Sequence, residues 1–226
     1  MKQFHAQTSE TASRHQWTMY IAALIGAYLA LLPQRLYADP MPRSPAPPGL
    51  EVPTGNRPFL LGRATGTQNY ICLPSGPEFV WFFFGPQATL FNNDEKQIIT
   101  HFLSPNPDEN GMPRATWQFS RDTSRVWGTA IQSFSDPAFV APGAIPWLLL
   151  QVVGVAPGPT GDHRLTETTY IQRLDTSGGM APTTGCAQTT DIGKIALVPY
   201  TANYFFYKAT AYSAAGLQTS PPSHSP

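Results

Sequence analysis

Arg114-Ala115-Thr116-Trp117-Gln118-Phe119-Ser120 decides the class of this fold. Ala115, Trp117 and Phe119 alternate with Arg114, Thr116, Gln118 and Ser120, a period of two that sets one face in a core and the other in water. That is a strand. Arg121-Asp122-Thr123-Ser124 then reads as a turn and residues 126–131 as the returning strand, so the stretch predicts a β-hairpin.

Outward from this hairpin the same logic repeats. Residues 88–91 and 98–103 flank the polar run Asn92-Asn93-Asp94-Glu95-Lys96-Gln97 and predict a second hairpin with a longer loop. Residues 79–84 and 147–153 are apolar without alternation, short, and bounded by Gly or Pro, which predicts central strands covered on both faces. Residues 165–174 are rich in Thr, Tyr and Ile, and 195–208 close with Tyr204-Phe205-Phe206-Tyr207 after Pro199. No long helical stripe and no internal repeat follows the leader. About eight to ten strands are expected from this pattern. The predicted class is all-β in a single domain, a sandwich or jelly-roll in the first place and a closed β-barrel as the alternative.

The ends have a different character. Lys2, Arg14 and His15 precede an apolar run from Met19 to Leu32, followed by Leu36-Tyr37-Ala38, the layout of a secretory signal peptide over residues 1–38. The run holds 14 residues, and crossing a hydrocarbon core takes about 20. A retained anchor is the alternative, because Leu36 is bulky for a position two residues before a cut. Residues 39–57 carry Pro40, Pro42, Pro45, Pro47, Pro48 and Pro53 and are expected to be an extended linker. Residues 58–208 hold the core-forming composition, and 209–226 read as a disordered tail. The expected localisation is secreted or periplasmic, with no membrane span once the leader is removed.

Charge narrows the partners. Loss of Lys2, Arg14, Arg35 and Glu10 with the leader leaves 11 basic and 13 acidic residues, a net charge of −2. These are scattered, so nucleic acid is not an expected partner. A glycan or another cell-envelope component is. Cys72 and Cys186 are the two cysteines, and in an oxidising compartment an even count argues for a disulfide. Two buried thiols, or one reactive thiol, are the competing reading, though no histidine lies near either in sequence and no CxxC is present.

Several blocks resemble one secreted family together: residues 66–72 (GTQNYIC), 85–91 (GPQATLF), 100–102 (THF), 144–150 (AIPWLLL), 170–174 (YIQRL), Gly178-Gly179 with Ala181-Pro182 ahead of Gly185-Cys186, and 198–202 (VPYTA). In set and order they resemble the family catalogued as domain of unknown function 3455, over nearly all of residues 52–208. The resemblance implies no established activity, ligand or catalytic residue. Some fungal members carry a malate dehydrogenase label, which this sequence does not support. It has no Gly-rich turn between a strand and a helix and no βαβ alternation. No cofactor is expected.

Candidate chemistry is sparse. On a strand His101 shares a face with Ile99 and Leu103, which suits a general base lining a cavity or, more commonly, a core histidine with a hydrogen-bonded partner. The sharper hypothesis pairs His101 with Asp122 and with Trp117 or Gln118 on the neighbouring hairpin. Asp162, His163 and Glu167 fall close together but match no zinc spacing, and Asn92 to Glu95 lacks the glycine and distal glutamate of a calcium loop, so no metal is expected. There is no GxSxG. Trp81, Trp117, Trp127 and Trp147 suit either a sugar-stacking platform or the core. The expected function is a ligand-binding or structural protein. The alternative is an extracytoplasmic hydrolase acting on carbohydrate, with catalytic candidates His101, Asp122 and Glu167.

Overall fold

The computed structural model describes residues 46–159 and 163–210. Residues 1–45, where the leader is expected, residues 160–162 and residues 211–226, in the expected tail, lie outside the described residues. Eight strands follow in order: β1 (Asn56–Ser75), β2 (Glu78–Phe91), β3 (Gln97–Asn106), β4 (Met112–Phe119), β5 (Arg125–Phe134), β6 (Trp147–Ala156), β7 (Thr168–Gly178) and β8 (Ile195–Ala209). Each pairs antiparallel with the next, and β8 returns to β1 to close an up-and-down barrel. The all-β class is as the alternation predicts; of the two layouts, the protein takes the barrel rather than the sandwich or jelly-roll. The length of β1, 20 residues, accounts for this. It pairs with β8 over 56–71 and with β2 over 63–75, so both of its edges are occupied.

The deciding hairpin is β4–β5. Ala115 to Gln118 face Arg125 to Gly128 in register, with Trp117 opposite Val126. Alternation sends Trp117 and Val126 into the barrel, where they pack with Leu90, Ile99, Leu150, Ile171 and Phe206. Gly128 makes room for the largest of these side chains, because a Cβ there would lie 3.1 Å from the Trp117 ring. Truncating such a buried tryptophan to alanine costs roughly 3–5 kcal/mol.

A second apolar cluster lies outside the barrel wall. Leu50, Val140 and Ala144 pack on Leu61, Trp147, Leu149, Leu174, Phe205 and Tyr207. Residues 46–52 and the 135–146 connection therefore cover the outer faces of β1, β6, β7 and β8. Gln172 pins the first of these: its Nε2 donates to the Leu50 carbonyl, and its Oε1 accepts from the Tyr207 hydroxyl, both at 2.6 Å. Tyr204-Phe205-Phe206-Tyr207 is thus buried on both faces, with Tyr204 and Phe206 inward and Phe205 and Tyr207 outward.

Residues 79–84 depart from expectation. Phe82, Phe83 and Phe84 are exposed rather than covered on both faces. The β2–β3 ladder begins only at Ala88, and the β7–β8 ladder ends at Tyr200, so β1, β2 and the start of β8 project beyond the closed part as a three-stranded extension. Cys72 on this extension forms a disulfide with Cys186, 114 residues away in sequence, tying the 179–194 connection to it. A loop of that length corresponds to about 4–5 kcal/mol in the chain-entropy model.

Candidate functional site

The barrel has two ends. The 107–111, 135–146 and 179–194 connections and the three-stranded extension lie at one, called upper here; the 92–96 and 120–124 connections and residues 157–159 and 163–167 lie at the lower. Each end has a concavity, and they differ in kind.

The upper concavity is a cavity of about 230 Å³ inside the barrel. His101 belongs to its floor. It sits opposite Ala88 on β2 and Trp117 on β4, so its side chain points inward, and it is 3 % exposed. Its ring stacks on Trp117 with centroids 4.3 Å apart and planes 8° from parallel, and meets the edge of Tyr204 at 5.2 Å. Nδ1 lies 2.9 Å from the Thr116 carbonyl oxygen. A carbonyl only accepts, so Nδ1 carries the proton and Nε2 is left as an acceptor. Burial pulls the imidazole pKa down to about 3; the Thr116 bond works against this and the Arg173 charge adds to it. At neutral pH the ring is uncharged.

Leu103, Leu148 and Leu150 supply apolar walls, and Phe83, Leu103 and Pro113 form an exposed rim above the buried floor of His101, Trp117 and Tyr204. Two arginines line this space. Arg114 is held by Glu109 in a bidentate pair, Nε to Oε2 at 2.8 Å and Nη2 to Oε1 at 2.6 Å. Arg173 donates from Nε and Nη2 to the Pro146 carbonyl at 3.2 and 2.8 Å. It has no carboxylate partner among the described residues. No described Asp or Glu lines the cavity. Tyr200 and Tyr204 place their hydroxyls 3.3 Å apart beside it, and burial, followed by the Tyr204 neighbour, pushes the Tyr200 phenol up.

The lower concavity is a larger open cleft of about 680 Å³, lined by Phe59, Lys96, Arg121, Asp122, Arg164, Glu167 and Lys208 among others. Its acids are engaged. Asp122 is 2 % exposed; its Oδ1 accepts from the Ser124 amide at 2.8 Å and hydroxyl at 2.7 Å, and its Oδ2 from the Arg164 amide at 2.8 Å. Burial raises the Asp122 pKa, but these three donors outweigh it and hold the carboxyl below its ordinary range. Ser124 Oγ in turn accepts from the Leu165 amide at 3.2 Å, so the β4–β5 turn and the segment after residue 162 are tied together. The approach is close: a Cβ at position 158 would overlap the Asp122 carbonyl, and the residue there is glycine. Glu167 pairs with Lys208, which holds its pKa down, and the Arg164 and Lys208 cations lie over the Phe59 ring at 5.7 and 5.6 Å.

The structure therefore brings His101 and Trp117 together and leaves Asp122 and Glu167 at the other end. Gln118 is on the outer face, where Oε1 accepts from Arg125 Nε at 2.7 Å. Trp127 and Trp147 are buried, and Trp81 donates to the Thr184 carbonyl beside the disulfide. Of the Asp162, His163 and Glu167 group, Asp162 lies outside the described residues; among those described, no three His, Cys, Asp or Glu cluster as a metal site. Sequence reasoning passed over Arg173 and Gln68. Arg173 carried one signal: it stands two residues after Ile171 on a strand, hence on the face that Ile171 buries in the barrel.

A family model described as a protein of unknown function (DUF3455) matches residues 53–208, more than half of the chain. No curated protein and no solved structure matches.

Proposed function

The chain belongs to the DUF3455 family, whose description names no activity, and on that premise we propose that it is an exported binding protein whose barrel receives one small molecule from the upper end. The observation that carries this reading is the upper cavity: an exposed apolar rim over a buried floor of His101, Trp117 and Tyr204, with the half-buried Arg173 in the same lining. A few placed polar groups in an apolar concavity are what small-molecule sites consist of. Export is supported by the Cys72–Cys186 disulfide and by the leader-like composition of residues 1–38. Binding is favoured over hydrolysis because the acids Asp122 and Glu167 line the opposite cleft and are committed to Ser124, Arg164 and Lys208.

The test is thermal melting of the disulfide-bonded protein against small aromatic and aliphatic acids, alcohols, amines and short glycans. A ligand specific to the folded state at a hundredfold excess over Kd adds about 2.7 kcal/mol of stability. Ala115 is half-buried in the cavity wall, and Ala115→Phe fills the space. The variant is expected to melt normally and to lose the ligand shift. A shift that survives in Ala115→Phe places the ligand elsewhere and removes the reading.

A further inference from the structure

We infer that the ligand of the upper cavity is a small ring-bearing carboxylate whose oxyanion is seated on Arg173; this rests on the binding reading above and names its chemical class. Four observations lead there.

The first is charge. Arg114 and Arg173 both line the cavity, and Arg114 is neutralised by Glu109. Arg173 faces the same space with no carboxylate partner among the described residues. A half-buried guanidinium without a counter-ion costs folding energy, and a bound carboxylate relieves it. The second is orientation. Nε and Nη2 both donate to the Pro146 carbonyl, which fixes the plane of the guanidinium and leaves Nη1 uncommitted among the described residues. A fixed planar donor is what recognises an oxyanion in one pose, where a flexible ammonium would not.

The third is the hydrogen-bond inventory. The buried Trp117 Nε1 and Trp147 Nε1 have no hydrogen-bond partner among the described residues. Trp117 belongs to the cavity lining, while Trp147 belongs to the outer cluster. The Trp117 donor at the cavity is answered by an acceptor on the ligand. The fourth is size. The cavity, about 230 Å³, is half as large again as the ~150 Å³ cavity that accommodates benzene. It has room for one ring and a short acidic arm, with Leu103, Leu148 and Leu150 around the ring.

Isothermal titration of the full, disulfide-bonded chain with phenylacetate, phenylacetamide and phenethylamine tests this, since the three differ chiefly in charge. Phenylacetate is expected to bind about tenfold or more tightly than phenylacetamide, and phenethylamine not measurably. Arg173→Gln is expected to abolish the preference for phenylacetate while leaving phenylacetamide affinity within about twofold. Arg173→Lys, which keeps the charge and loses the fork, should retain part of it; a melting curve on each variant verifies the fold. If phenylacetamide binds as well as phenylacetate, or if the preference survives Arg173→Gln, the carboxylate inference is overturned while the binding cavity stands. If none of the three probes binds, the inference falls as well. Loss of all binding in Ala115→Phe ties whichever probes bind to this cavity.

Discussion

The two ends of the barrel show two uses of polar side chains in an apolar scaffold. At the lower end Asp122, Ser124 and Glu167 are answered from within. Asp122 accepts three hydrogen bonds, Ser124 relays one to Leu165, and Glu167 pairs with Lys208. At the upper end the polar groups of the cavity are only partly answered among the described residues: Arg173 lacks a carboxylate, and the Trp117 indole keeps a donor without a partner. A satisfied network closes an end of a barrel, and donors left open to a cavity suit a bound water or ligand. The lower cleft is larger, and its buried acid holds two connections together; the proposed reading rests on the chemistry of the two linings rather than on their size.

The strongest way to strain that contrast is through the disulfide, because it belongs to the upper end alone. Replacing both Cys72 and Cys186 by alanine is expected to cost about 4 kcal/mol, seen as a lower midpoint in guanidinium unfolding with a steeper slope, because the unfolded chain without the cross-link exposes more surface. Most of the cavity lining belongs to the closed part of the barrel, while Gln68, Phe83 and Pro86 come from the tied extension, so binding at the cavity is expected to weaken but survive in the variant wherever it remains folded. A midpoint unchanged by the substitution would show that the 179–194 connection holds its place without the cross-link.

Asp122→Ala is the corresponding cut at the lower end. It removes an acceptor from the Ser124 and Arg164 amides and leaves buried donors unmatched, for an expected loss of roughly 2–3 kcal/mol. The effect should be on stability alone, with small-molecule affinity at the upper end unchanged. Loss of ligand affinity at unchanged stability would make Asp122 part of a functional site and revive the pairing with His101 that sequence proximity suggested.

What could be read beforehand follows from the range of the physics involved. Alternation in residues 114–120 and the turn after them are local, and β4–β5 has the pairing they imply. Whether eight strands close on themselves is a matter of how far β1 runs along both neighbours, which no local pattern encodes. The same cause misplaced residues 79–84. An apolar run signals burial, and only the register shows that β2 outruns β3 and leaves Phe82 to Phe84 exposed. In the site, His101 was legible as a polar residue on an apolar face. Arg173 was not, because a lone arginine in a Thr- and Tyr-rich strand reads as the solvated face until Ile171 is known to point inward. Asp122 and His101, 21 positions apart and on adjacent elements, line different concavities, because His101 points into the barrel from the middle of β3 while Asp122 lies in the turn beyond the end of β4 and is held there by the Ser124 and Arg164 amides.

His101 offers a pH handle on the upper end. Its pKa is about 3 in the folded protein and about 6.5 in an unfolded chain. The folded state refuses a proton that the unfolded state accepts, so the ring's contribution is complete above pH 6.5 and is lost as the pH falls toward 3. The slope is about 1.4 kcal/mol per pH unit within that window. The groups around it, Trp117, Tyr204, the Thr116 carbonyl and Arg173, include no acid that would stabilise a cation. Between pH 5 and 6.5 the carboxylates with lowered values contribute little. Stability measured there for the native chain should fall with acid more steeply than for His101→Phe, which keeps the stacking and removes the titration. Parallel slopes would show that the imidazole protonates in place.

The smallest effect belongs to Glu167. Its carboxylate is held down by Lys208 and Lys208 lies over Phe59, but the acid is largely exposed and water screens the pair. Glu167→Gln should leave the melting curve unchanged at physiological salt, and should alter neither ligand affinity at the upper end nor its salt dependence. The null outcome is informative because Glu167 and Asp122 are the acids a hydrolase reading would use. If they served a substrate at the lower cleft, removing the exposed one would change binding there while stability stayed fixed. Titrating short glycans against native protein and Glu167→Gln makes that distinction. Binding that weakens in the variant would move the functional end of the barrel from Arg173 to the opposite rim.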